Sequence, residues 1–128
     1  REIRPQRAVV ILYPEHFLEE MDQDALKQRI DLQLGRPASK SVMLKQLLAV
    51  LRFNTSSRLG DLSLPTLVLR AGEDILVKPD NSQTLMDGLP NGKLINFEDA
   101  GHGLIFQHAA AVNKAIREHV ERNSTHAT

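Results

Sequence analysis

The chain has 128 residues, 16 basic and 16 acidic side chains, a formal net charge of zero and neither cysteine nor tryptophan. The length favours one domain or a piece of one; the lack of cysteine excludes disulfides, thiol catalysis and cysteine-ligated metal, and leaves a cytoplasmic setting compatible. Basic residues scattered among acids give no basic face for nucleic acid, no apolar run approaches the ~20 residues of a membrane span, and the run from Ala8 to Leu12 is too short for a signal-peptide core.

The run Ala8-Val9-Val10-Ile11-Leu12 is compatible with either a buried strand or a helical turn. From Asp22, a capping residue, Leu26, Ile30 and Leu34 recur at helical spacing until Gly35 and Pro37 end the segment. Ser39 opens a second predicted helix, with Leu44, Leu47, Leu48 and Leu51 in one stripe, and Asn54-Thr55-Ser56-Ser57 breaks it. This first part, residues 1–57, reads as a helical, cap-like segment.

The second part, residues 58–128, alternates strand and helix. Pro65 precedes Thr66-Leu67-Val68-Leu69, whose near-continuous apolarity predicts a strand buried on both faces of a parallel sheet. A loop from Ala71 to Pro79 leads to a helix over Asp80–Met86, stopped by Gly88 and Pro90. Asn91-Gly92 signals a turn, and Leu94–Phe97 a second strand. After the loop from Glu98 to Gly103, Ile105, Ala109, Val112, Ile116 and Val120 predict one face of an amphipathic helix. Strand, helix, strand, helix in this order predicts a parallel unit of an α/β sheet.

Function in open α/β sheets sits past the carboxyl ends of the strands. The first such loop holds Asp74, in Gly72-Glu73-Asp74-Ile75-Leu76-Val77-Lys78-Pro79; the second holds His102, in Asp99-Ala100-Gly101-His102-Gly103. Parallel neighbouring strands would open both loops on one sheet edge, where a carboxylate can fix the tautomer of an imidazole and stabilise its protonated form. The glycines flanking His102 allow tight backbone turns.

These two stretches resemble the acid and histidine loops of α/β-hydrolases. Asp74, Val77 and Pro79 match the family's Asp-x-x-Val-x-Pro pattern, and Ala100-Gly101-His102-Gly103 before a helix is similar to its histidine loop and final helix. The resemblance covers the second half well, and the first half only in kind. It implies a C-terminal fragment of an α/β-hydrolase: a short parallel sheet preceded by a helical cap. It further implies catalytic roles for Asp74 and His102, no cofactor and a small-molecule, ester-like substrate. The family's Gly-x-Ser-x-Gly nucleophile elbow has no match: none of Ser39, Ser41, Ser56, Ser57, Ser63, Ser82 or Ser124 lies in it. A serine outside this chain is therefore expected to complete the triad.

Other assignments stand beside this one. Asp74 could simply cap a turn, and Glu73 is the competing acid. His16, His108, His119 and His126 read as solvated, with His108 nearest the cleft; no compact spacing supports a metal site of His102, His108 and Asp74. Phe17, Met21 and Phe53 are candidates for lining a substrate cavity. The alternative function is a non-catalytic, hydrolase-derived interaction module. Few strands with open edges also predict self-association, unless the missing half of the fold is present.

Overall fold

The computed structural model describes residues 11–22, 24–26, 28 and 38–124. Of the apolar run at 8–12, only Ile11 and Leu12 lie within it, and they are helical. Ile30, Leu34, Gly35 and Pro37, which completed the first predicted helix, lie outside the described residues, as does His126. Helix α1, Glu15–Glu20, follows Pro14. Tyr13, just ahead of it, is buried together with Leu26, and Leu12, Phe17, Leu18 and Met21 pack around them. Asp22 caps the next helical turn: its Oδ1 accepts from the backbone of Asp24 at 2.8 Å and of Ala25 at 3.2 Å.

Helix α2 spans Lys40–Arg52. Ser39 is its N-cap, accepting from Val42 N–H as the sequence predicts. The leucine stripe meets nothing among the described residues that covers it: no residue of α2 is buried, and Leu47, Leu51 and the following Phe53 are 55%, 73% and 75% exposed. A 3-10 turn over Ser56–Asp61 ends this part.

The remainder is a βαβ unit. Strand β1, Thr66–Ala71, and strand β2, Gly92–Phe97, form a parallel two-stranded sheet, paired from Thr66 with Gly92 to Ala71 with Phe97. Helix α3, Asp80–Gly88, is the crossover. Asn91 ties the lower end, its carbonyl accepting from Thr66 N–H at 2.9 Å and its side-chain amide donating to Ser63 at 2.7 Å. In β1 only Val68 is buried, so the expectation that the first strand is buried on both faces is not met; β2 has no buried residue. A two-stranded sheet leaves each strand one open edge, and the described helices cover it only in part.

The last predicted helix is divided. Helix α4, Leu104–Gln107, stops at His108, whose φ of −119° and ψ of 40° leave the helical region, and α5, Ala109–Ser124, continues. The face predicted to pack is also corrected. Leu104, Val112 and Ala115 are buried, whereas Ile105, Ile116 and Val120 are exposed. Two apolar stripes run side by side and share Val112. Contact selects the one facing Ala100, with Leu69, Ala71 and Phe97 packed around it. His119, read as solvated, is half-buried instead, and its Nε2 lies 3.2 Å from the Pro65 carbonyl. It joins α5 to the entry of β1.

No helix among the described residues is long and apolar enough to cross a membrane. The bare apolar face of α2 and the open strand edges predict association. Light scattering on the order of tens of micromolar should give a mass above that of one chain, and Leu47→Glu with Leu51→Glu should lower it; a clean monomer for the unaltered chain would contradict this.

Candidate active site

Asp74 and His102 belong to the loops that leave β1 and β2 at the same edge. In-register pairing brings Ala71 and Phe97 level, so the loops start side by side. Backbone bonds then join them: Gly72 N–H donates to Phe97 and Glu73 N–H to Ala100, both at 2.8 Å. At Gly72 a side chain would overlap the Glu98 backbone, so this approach requires glycine.

The Asp74 carboxylate divides its oxygens between two tasks. Oδ1 accepts from Leu76 N–H at 2.8 Å and Val77 N–H at 2.9 Å, closing the turn of its own loop. Oδ2 meets His102 Nδ1 at 2.9 Å. The turn-capping use and the pairing with histidine therefore coexist in one side chain. An ionised carboxylate can only accept, so Nδ1 carries the proton in this pair and neutral His102 presents a lone pair at Nε2. The side chains of Asp74 and His102 are 11% and 39% exposed: the acid is shielded while the imidazole stays accessible.

Partial burial pushes the Asp74 pKa up, and four favourable interactions outweigh it: the Val77 N–H, the His102 hydrogen bond, the Leu76 N–H and the charge of His102. The net shift is downward from the ordinary value of 3.8, so Asp74 remains a carboxylate throughout the neutral range.

The histidine loop is held from two sides. Gln107, the last residue of α4, accepts from Gly101 N–H at 3.0 Å through Oε1 and donates to the Asp99 carbonyl at 2.7 Å through Nε2. From the other side, the Leu12 carbonyl accepts from Gly103 N–H at 2.7 Å. A side chain at Gly103 would overlap the Tyr13 ring, and one at Gly101 would meet Pro14 and the Leu12 carbonyl. With φ −79° and ψ 19°, Gly103 is needed for space rather than for a left-handed backbone. This refines the tight-turn reading of these glycines. Tyr13, Pro14, Gly72, Glu73, Asp74 and Gly101 help to line an open pocket of about 350 Å³ beside the pair.

The other candidates fall elsewhere. Glu73 points to His16 at 3.9 Å, and both are about half exposed, a pair that contributes little. His108 stacks on Phe97 with centroids 5.3 Å apart and its Nε2 lies 3.2 Å from Asp99 Oδ1. That contact is close enough for an ion pair, yet Nε2 lacks hydrogen-bond geometry there. Among the described residues no group of three His, Asp or Glu side chains is placed to hold a metal ion. Phe17 and Met21 pack in the Tyr13 cluster, and Phe53 is exposed on the far end of α2. Tyr13 and Gln107 are absent from the sequence-based candidates. Tyr13 had a usable signal, an apolar residue at the position before an N-cap with Leu18 at the fourth helical position, the spacing of a hydrophobic staple. Gln107 had none.

The family model described as the alpha/beta hydrolase fold matches residues 5–109. The chain is 32% identical over 98 residues to a 2-hydroxy-6-oxononadienedioate/2-hydroxy-6-oxononatrienedioate hydrolase of Cupriavidus pinatubonensis, covering 75% of this chain and 34% of that protein. It is 26% identical over 104 residues to a 2-hydroxy-6-oxononadienedioate/2-hydroxy-6-oxononatrienedioate hydrolase 2 of Pseudomonas putida, covering 80% and 36% respectively. A thermophilic esterase from Thermogutta terrifontis superposes with a TM-score of 0.74 at 22% identity, over 92% of this chain and 43% of the other; that likeness concerns the fold alone. The chain thus spans about a third of the length of these curated relatives.

Two outcomes follow from this geometry. Gly103→Ala should cost about 1–3 kcal/mol in denaturant unfolding, because its methyl group competes with the Tyr13 ring; an unchanged midpoint would contradict the clamp. Asp74 has a lowered pKa, so its ionised form stabilises the fold fully above its ordinary value of 3.8, and that contribution is lost as the pH falls through the lower folded value. The stability difference between the unaltered chain and Asp74→Asn, on the order of 1–3 kcal/mol at neutral pH, should therefore persist on mild acidification and narrow only below that range; narrowing already near pH 5 would contradict the assignment.

Proposed function

Because the chain belongs to the alpha/beta hydrolase fold family, we propose that it is the acid-and-histidine portion of a serine-type hydrolase that cleaves an ester or related bond in a small molecule. The observation that carries this reading is the 2.9 Å bond from His102 Nδ1 to Asp74 Oδ2, made by loops on one sheet edge. His102 would take the proton of an attacking serine at Nε2 and then deliver it to the leaving group; Asp74 orients the ring and stabilises the imidazolium. The serine comes from outside this chain, since none of its seven serines lies in a Gly-x-Ser-x-Gly elbow. No step of this scheme requires a cofactor. The relative from Cupriavidus pinatubonensis, named as a hydrolase, supports hydrolysis as the reaction class.

Three measurements test this. The chain alone should hydrolyse p-nitrophenyl acetate no faster than its His102→Ala variant; a clear His102-dependent rate would mean that the nucleophile lies within these residues. Coding sequence upstream of Arg1 should contain the Gly-x-Ser-x-Gly elbow, and its absence there would undo the proposed division of the triad. In the complete enzyme, Asp74→Asn should lower kcat by about 10⁴-fold at neutral pH, because the amide donates to Nδ1 and moves the ring proton to Nε2; a loss of only a few-fold would remove Asp74 from the triad.

A further inference from the structure

The loop carrying His102 has few backbone bonds of its own. Ala100 N–H donates to Phe97 at 3.2 Å, and the Gly101 carbonyl accepts from Leu104 N–H at 3.0 Å. The N–H of Gly101 and the carbonyl of Asp99 are satisfied by one side chain, Gln107, at 3.0 and 2.7 Å. An amide, with its donor and acceptor on one planar group, serves both. Gly101 N–H is solely a donor and the Asp99 carbonyl solely an acceptor, so one orientation of the Gln107 amide satisfies the pair, and the reverse would set like groups against each other.

The location gives this bridge a consequence for His102. Gly101 is buried and immediately precedes it, and glycine offers the widest backbone freedom of any residue. Rotation of the peptide entering Gly101 would swing the imidazole away from Asp74. His108, the neighbour of Gln107, does not hold this peptide: its ring rests on Phe97 and beside the Asp99 carboxylate. The Leu12 carbonyl holds the loop one residue after His102, at Gly103. The peptide that enters Gly101 is held at its carbonyl by Glu73 N–H, at 2.8 Å, and at its N–H by Gln107.

We propose that Gln107 is a positioning residue for His102, acting through the Gly101 peptide to keep Nδ1 on Asp74. This rests on the reading of Asp74 and His102 as an acid–base pair. It also accounts for the placement of α4, a helix of one turn that ends on Gln107 and so carries its amide back over the loop.

The test follows the His102 Nδ1 proton by NMR in the histidine-labelled chain. The unaltered chain should show a downfield Nδ1–H that is slow to exchange with solvent and is lost in Asp74→Asn. Gln107→Met, which removes both bonds at similar volume, should accelerate that exchange about tenfold or more. Gln107→Glu keeps the acceptor for Gly101 and should stay closer to the unaltered chain than Gln107→Met. A purely structural role would lower the melting temperature of Gln107→Met and leave the exchange of the folded state unchanged, and that result overturns the proposal. Should Gln107→Met not fold, Gln107→Asn, whose amide is one methylene too short to bridge the loop, takes its place with the same expected acceleration. If Asp74→Asn leaves the resonance intact, the acid–base pair itself falls and the proposal with it; if it removes the resonance and the Gln107 variants do not affect it, only the role of Gln107 falls.

Discussion

The parallel register of β1 and β2 is the constraint on which the site depends. Pairing Ala71 with Phe97 makes the strands end level, and the two residues after β1 then bond to the end of β2 and the start of the histidine loop. A slip of one residue moves a strand by about 3.3 Å. A hydrogen bond of 2.9 Å between side chains on the departing loops has no such tolerance. The apolar cluster beneath is set by the same register, since Leu69 and Ala71 of one strand and Phe97 of the other surround Ala100, Leu104 and Val112. Core and site are therefore two faces of a single alignment.

Asp74 shows how a local turn motif also sets a long-range contact. Its Oδ1 is fully used within four residues of chain, by Leu76 and Val77. Those bonds fix the rotamer, and the fixed rotamer aims Oδ2 at His102. Burial of the carboxylate works against its charge, and donors on both oxygens overcome that cost. The histidine has no comparable self-contained turn. It is held through its neighbours: Gly101 by Gln107 and Gly103 by Leu12. The acid is placed by its own turn, the histidine by the short helix that follows it and by Leu12 from the other end of the chain.

The chain also carries surface that calls for cover. Helix α2 is capped and regular, yet none of its residues is buried. The chain matches about a third of the length of its curated relatives, and this proportion accords with a well-formed acid–histidine pair beside an incomplete apolar core. Where covering elements are present, as at Val112 and Ala100, packing is close; among the described residues nothing covers the leucines of α2, and they stay exposed.

Local chemistry was readable from the amino-acid sequence. The Ser39 cap, the strand at Thr66, the helix at Asp80, the loops bearing Asp74 and His102 and the lack of an elbow serine all follow from residues within a few positions of one another. Contacts between distant residues were not readable. Which of two apolar stripes α5 buries depends on the sheet it meets; His119 is drawn to Pro65 across 54 positions; and the Gly103 N–H is tied to the Leu12 carbonyl from the far end of the chain. Hydrophobic period and capping chemistry are properties of a segment, so the sequence alone determined helix α2, the two strands, the crossover helix and the candidate pair. Register, choice of face and the clamps on His102 are relations between segments, and those the tertiary structure decided.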